Sequence, residues 1–217
     1  MLFDIGANLT HSDFKGDLLS VLDRARAAGV HQMAVTGASC EGSQQAVTLS
    51  QQFEALFATV GVHPHHAEEV DDGTIEMLAA LAASERVVAI GETGLDYFRD
   101  FTPRDQQRRA FEAQLDLAVA LDKPLFLHER AAAEDFTKIL TKYRDRINSV
   151  VVHCFTGDAQ ALSRYLDLDC HIGITGWICD ERRGTHLHSL IRDIPSNRLM
   201  IETDAPYLLP RTLKPKP

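Results

Sequence analysis

Residues 87–96 read VVAIGETGLD. Val87 to Ile90 form an apolar, largely β-branched run of the kind found in strands buried on both faces, yet it breaks at a carboxylate, Glu92. The chain repeats this pattern. Further apolar runs lie at 2–9 (LFDIGANL), 31–38, 56–63, 124–130, 149–157, 171–178 and 199–207, which with 87–94 makes eight. Between them lie stretches with helical spacing, clearest at Phe111, Leu115, Ala118 and Val119, and at Phe136, Ile139, Leu140, Tyr143 and Ile147. Thr102, Pro103 and Asp105 supply a start signal for the first of these helices, with Thr102 as cap. Buried strands alternating with helices predict parallel pairing with helices outside, and eight such units predict an α/β fold, the (β/α)8 TIM barrel. After the last run the sequence LLPRTLKPKP has prolines and no helical period, so the eighth helix is expected to be absent from this chain.

The 217 residues, 45% of them hydrophobic, are enough for one sizeable core, and no linker or low-complexity tract interrupts residues 1–209. A single barrel domain over 1–217 is expected. No apolar run approaches the about 20 residues of a membrane span, and MLFDIGANLT lacks the features of an export signal, so a cytoplasmic protein without membrane contact is expected. Cys40, Cys154, Cys170 and Cys179 show no C-x-x-C spacing and read as reduced thiols. A net charge of -9 disfavours holding duplex nucleic acid by general electrostatics and leaves room only for local contacts. Nothing in the sequence calls for an obligate protein partner.

In such barrels the carboxyl ends of the strands share one pocket, so polar residues that end apolar runs are brought together. Those residues are Asp4 and Asn8, His63, Glu92, His128, His153, and Glu202 with Asp204. Glu92, His128, His153 and Asp204 each break a strongly apolar run. Burying that many ionisable groups without a counter-ion is costly, so they predict a divalent cation able to acidify a bound water. His65, His66, His186 and His188 lack that setting and read as solvated.

With GVHPH, AIGETGLDY, FLHER, VVHCFTG, GITGW and IETDAPYLLPR in place, the chain resembles the TatD-type metal-dependent deoxyribonucleases, a family of amidohydrolase-like barrels. DIGANL resembles the TatD subgroup proper. The resemblance implies metal ligands at Glu92, His128 and His153, with Asp204 as ligand or as base for the attacking water. It also implies Glu202 as a supporting carboxylate of the catalytic set and His63 close to the scissile phosphate. Magnesium is the expected ion, with manganese or zinc as alternatives. Many relatives carry H-x-H on the first strand; here Asp4-Ile5-Gly6-Ala7-Asn8 stands instead, leaving Asn8 to orient water or phosphate.

Phosphodiester hydrolysis is the expected reaction, and Arg130 is a candidate for binding substrate phosphate because a guanidinium can grip it bidentately. Arg182 and Arg183 are further candidates, while Arg211 and Lys214 read as a solvated basic tail. Tyr97, Phe98, Trp177 and Tyr207 follow strand ends, where an aromatic ring can stack on an unpaired base. The expected substrate is an end of single-stranded DNA or RNA, with 3'-to-5' polarity taken from the resemblance. An amidohydrolase or lactonase is the first alternative, although such two-metal centres use H-x-H and a carboxylated lysine that this chain lacks. A catalytically inactive barrel that binds nucleotide or partner is the second.

Overall fold

The structure, a computed structural model, describes residues 1–213, so Lys214 lies outside the described residues. Eight strands run in chain order around a parallel sheet: β1 (Leu2–Ala7), β2 (Val30–Val35), β3 (Leu56–Val60), β4 (Val87–Asp96), β5 (Leu125–Arg130), β6 (Val150–Val152), β7 (His171–Ile174) and β8 (Leu199–Ile201). Each pairs in parallel with the next. Closure comes from backbone just beyond β8: Asp204 N–H donates to the Gly6 carbonyl at 2.8 Å and Asn8 N–H to the Ala205 carbonyl at 2.7 Å. Asp4 reinforces the seam by accepting from the Thr203 backbone and hydroxyl, at 3.0 and 2.6 Å. It therefore fastens β1 to the β8 loop instead of joining the other strand-end groups.

The strands are buried because both faces are covered. Val60, Ile90, Leu125, Leu127, Val150 and Ile172 are fully or almost fully buried. The outer layer is α1 (Leu18–Ala27), α2 (Cys40–Gln52), α3 (Asp72–Ala82), α4 (Arg104–Leu121), α5 (Ala133–Thr141), α6 (Ala159–Asp167) and the single turn α7 (Leu187–Leu190). Phe111 of α4 stacks on Phe136 of α5 with ring centroids 5.3 Å apart, and Tyr165 of α6 meets Phe136 edge-on. Among the described residues no helix follows β8, and none is long and apolar enough to cross a membrane.

Two local expectations need correction. Thr102 does not cap α4; its hydroxyl donates to the His65 carbonyl at 3.1 Å, and Pro103 occupies the cap position. The helical run from Phe136 to Ile147 stops at Thr141, and Tyr143 and Ile147 are buried from the turns that follow. There the Arg144 side chain donates to the Leu168 carbonyl at 2.6 Å and to that of Ile147, so it serves carbonyl groups outside the helix.

The loops at the C-terminal mouth are set by buried amides on α4. Gln114 brackets Val62, accepting from its N–H at 2.8 Å and donating to its carbonyl at 3.1 Å. Gln107 does the same for Asp96, at 2.9 and 3.2 Å. Each amide offers one donor and one acceptor group, so it can satisfy both the N–H and the carbonyl of one residue at a strand end.

Strand β4 passes close to β5 at two glycines. Gly91 and Gly94 have φ of +139° and +146°, and a Cβ on either would lie 1.9 Å from a β5 carbonyl, Phe126 and His128 respectively. Only a residue without a side chain fits there. Gly94→Ala is expected to destabilise the fold by about 3 kcal/mol, lowering the melting temperature by roughly 6–12 °C. A calorimetric melt within about 2 °C of wild type would contradict this close approach.

Candidate active site

The polar groups that break the apolar runs meet at the C-terminal mouth. Glu92 lies within β4 and His128 within β5, whereas Asn8, His63, His153, Glu202 and Asp204 lie just past the ends of β1, β3, β6 and β8. Three imidazoles face a single oxygen, Glu92 Oε1: His153 Nε2 at 2.8 Å, His128 Nδ1 at 3.1 Å and His63 Nε2 at 3.4 Å. One donor atom each from His63, Glu92 and His128 lie within 4.8 Å of one another, a group compact enough to hold a metal ion. Glu92 and His153 are buried, at 7% and 4% exposure.

Hydrogen bonds around the centre orient each ring. Glu202 accepts from Cys154 N–H at 2.5 Å and faces His153 Nδ1 at 3.3 Å, which turns Nε2 of that ring toward Glu92. A carboxylate on the outer nitrogen of an imidazole is the arrangement that fixes tautomer and direction in metal-binding histidines. His63 differs: its Nδ1 accepts from His65 N–H at 3.1 Å, so in the neutral ring the proton sits on Nε2. His128 Nε2 is buried without a hydrogen-bond partner among the described residues. Its nearest acid, Asp96 Oδ2 at 3.4 Å, stands outside hydrogen-bond geometry, and a buried imidazole nitrogen left without a hydrogen bond fits a cation ligand.

The electrostatics follow from this crowding. Burial disfavours ionised Glu92, but His153, His63 and the imidazole hydrogen bonds outweigh it and hold the carboxyl well below its ordinary value. Burial disfavours charged His153 too, yet Glu92 and Glu202 raise it well above the usual imidazole range. His128 is raised for the same reason, by Asp96 and Glu92 acting against burial. His63, dominated by burial, is held well below and stays neutral. Asp204 is pushed up to about 7, chiefly by burial, with Glu92 and Glu202 adding to the shift and His153 opposing it; its Oδ1 accepts from Asn8 Nδ2 at 2.9 Å.

Two residues of the mouth escaped the sequence reading. Asp96, read as the end of a motif, is buried and lies 2.8 Å from His65 Nε2 and 3.4 Å from His128 Nε2. Its signal was present, since it breaks the apolar strand four residues after Glu92 and so projects on the same side. His65 is accordingly not solvated: it is half-buried, pairs with Asp96, and its ring packs 4.2 Å from that of His63. His66, His186 and His188 are exposed as expected.

The candidate phosphate-binding arginines separate. Arg182 and Arg183 are both spent on the buried carboxylate of Asp180, at 2.8 and 3.0 Å, and Arg211 pairs with Glu181 at 2.9 Å. Asp180 thereby anchors the loop after β7, a role invisible in the spacing CDERRG. Arg130 has no carboxylate partner among the described residues; its guanidinium lies over the rings of Trp177 and Phe98, at 4.7 and 5.1 Å.

A parallel eight-stranded barrel that gathers imidazoles from three strand ends on one buried carboxylate is the architecture of the metal-dependent hydrolase barrels. The family model described as "TatD related DNase" matches residues 3–217, and the chain belongs to that family. Its relatives include the "3'-5' ssDNA/RNA exonuclease TatD" of Klebsiella pneumoniae (strain 342), 49% identical over 216 residues covering 100% of this chain and 82% of the relative. The protein of the same name from Salmonella typhimurium (strain LT2) is 47% identical, with 100% and 83% covered. Among solved structures, a TatD homologue from Escherichia coli k12 superposes with a TM-score of 0.91 at 30% identity, covering 100% of this chain and 83% of that one. An uncharacterized amidohydrolase from Saccharomyces cerevisiae gives 0.87 at 28% identity, covering 97% and 77%. Family and donor group together point to a divalent metal.

Proposed function

We propose that this chain is a single-domain, cytoplasmic, metal-dependent 3'-to-5' exonuclease that hydrolyses phosphodiester bonds at the ends of single-stranded DNA and RNA. The observation that carries the reading is the convergence of three imidazoles on Glu92, with His128 Nε2 making no hydrogen bond among the described residues. Polarity and substrate come from the names of the relatives. Four free cysteines accord with a reducing compartment.

Glu92, His128 and His153 are the residues that would hold the metal, with Asp204 as a further ligand or as the base for the attacking water. A divalent cation bound there supplies Lewis acidity for the phosphoryl oxygens and lowers the pKa of water. Magnesium is the ion expected from the resemblance, and the imidazole nitrogens suit manganese or zinc as well.

Hydrolysis needs a group to take a proton from water, and a carboxylate near pH 7 suits the task. Asp204, held at the mouth by Asn8 and pushed up to about 7 in the metal-free protein, is the carboxylate placed for it. His63 falls within the compact donor group, but its Nδ1 is already engaged by a backbone N–H. Its Nε2 therefore carries a proton toward the centre, which makes it a neutral donor to a phosphoryl oxygen and a poor ligand. Glu202 acts through His153, whose ring it aims. Arg130, with its donors uncommitted, would hold a substrate phosphate at the rim.

The test uses oligonucleotides blocked separately at each end, with chelator and then magnesium, manganese or zinc added back. Metal-dependent loss from the free 3' end, halted by a 3' block, is expected; shortening only from the 5' end would refute the polarity. Cyclic amides and lactones belong in the same panel, and preferred cleavage of those would replace this reading with the amidohydrolase one.

A further inference from the structure

The loop between β4 and α4 presents two large apolar rings to solvent, Phe98 at 63% and Phe101 at 68% exposure. Neither position is random. Asp96 accepts from the N–H groups of Phe98 and Arg99 at 3.0 and 2.8 Å, so the carboxylate that faces His65 and His128 also shapes the loop bearing these rings. Phe101 packs at 4.8 Å from the His65 ring, which stands 4.2 Å from His63, which in turn stands 4.3 Å from His128. A continuous line of rings thus leads from the centre to the rim.

Phe98 carries the second element, positive charge. Arg130 lies 5.1 Å and Arg99 5.8 Å from its ring, and among the described residues neither guanidinium has a carboxylate within 4.0 Å. On a chain of net charge -9, two uncommitted cations beside an exposed ring at the mouth mark a place for an anion with an aromatic attached. Tyr97 is excluded from this role because it is half-buried and its hydroxyl donates to Asp135 at 2.7 Å. Trp177 is buried, held by an Nε1–H bond to the Arg183 carbonyl at 3.3 Å, and serves as the floor under Arg130.

We propose that Phe98 and Phe101 form a stacking platform for the unpaired bases of the substrate strand, with Arg99 and Arg130 gripping the phosphates between those bases. This rests on the nuclease reading above and adds to it the element that selects single strands. A base stacked on either ring must be free of its complement, whereas the bases of a duplex show only their edges. The platform thereby gives an acidic protein local affinity for a strand end without a basic face.

The test compares wild type with Phe98→Ala, Phe101→Ala and Phe98→Trp on a single-stranded oligonucleotide and on the same strand with abasic sites at its 3'-terminal positions. Both rings are exposed, so the variants are expected to keep the wild-type melting temperature. Each alanine variant is expected to raise KM on the normal strand roughly 5- to 100-fold with little change in kcat, and Phe98→Trp to restore it. On the abasic strand the alanine variants and wild type should share one KM. An unchanged KM on the normal strand, or an equal rise on the abasic one, overturns the platform and leaves the nuclease reading standing. Wild-type protein that cleaves no oligonucleotide at all, measured first, overturns both.

Discussion

Glu92→Gln is expected to abolish hydrolysis, with kcat/KM falling by at least about 10³-fold, and to lower bound metal in the same preparation. The substitution keeps the shape of the side chain and removes one charge, the charge that three imidazoles share at 2.8, 3.1 and 3.4 Å. Without it, protonated His153 and His128 lose a main counter-charge. Their pKa values fall, and the cluster that pre-forms the cation site is no longer held together. Elemental analysis after dialysis against magnesium or manganese, read beside activity and a thermal melt, checks the cause. A folded Gln variant with more than about a tenth of wild-type activity would remove Glu92 from the centre.

Asp204→Asn is expected to cut kcat by about 10²- to 10⁴-fold, the range typical of losing a general base, and to change how metal affinity depends on pH. The sign follows from linkage. In the metal-free protein Asp204 is pushed up to about 7, above the ordinary 3.8 of an unfolded aspartate. The folded state therefore holds a proton that the unfolded state has released, and this group's contribution to stability is lost as pH rises from about 4 to about 7. A cation must displace that proton, so the part of its affinity that Asp204 contributes should rise through pH 7 and level off above it. The stabilisation by added magnesium or manganese, measured as a melting-temperature shift, should grow from pH 6 to pH 8 in wild type. In Asp204→Asn that growth should be smaller, and the metal-free variant should gain on wild type in melting temperature as pH rises. Equal slopes for the two proteins would take Asp204 out of the centre.

Much of this was legible in one dimension. Near-continuous apolar runs, alternating with stretches of helical spacing, specified eight parallel strands because strands covered on both faces read that way. A carboxylate or imidazole that interrupts such a run is expensive to bury unless something answers it, which is why Glu92, His128 and His153 stood out. The apolar runs nevertheless overstated the strands. His63, His153 and Asp204 sit beyond the ladder, on backbone that Gln114 and the β1–β8 seam hold in place.

What sequence alone determined, then, was the architecture and the inventory of reactive groups, since both depend on local periodicity and on the cost of burying charge. The tertiary structure decided which groups face one another. Adjacent arginines at 182 and 183 stood behind Arg130 as candidate phosphate ligands, until the fold placed Asp180 beside the pair and, among the described residues, no carboxylate partner beside Arg130. His65 looked like a surface residue until Asp96, 31 positions away in the chain, met it at 2.8 Å. Hydrogen bonds and ion pairs fall off within a few ångströms, and positions that distant in sequence acquire such a separation only when the barrel closes.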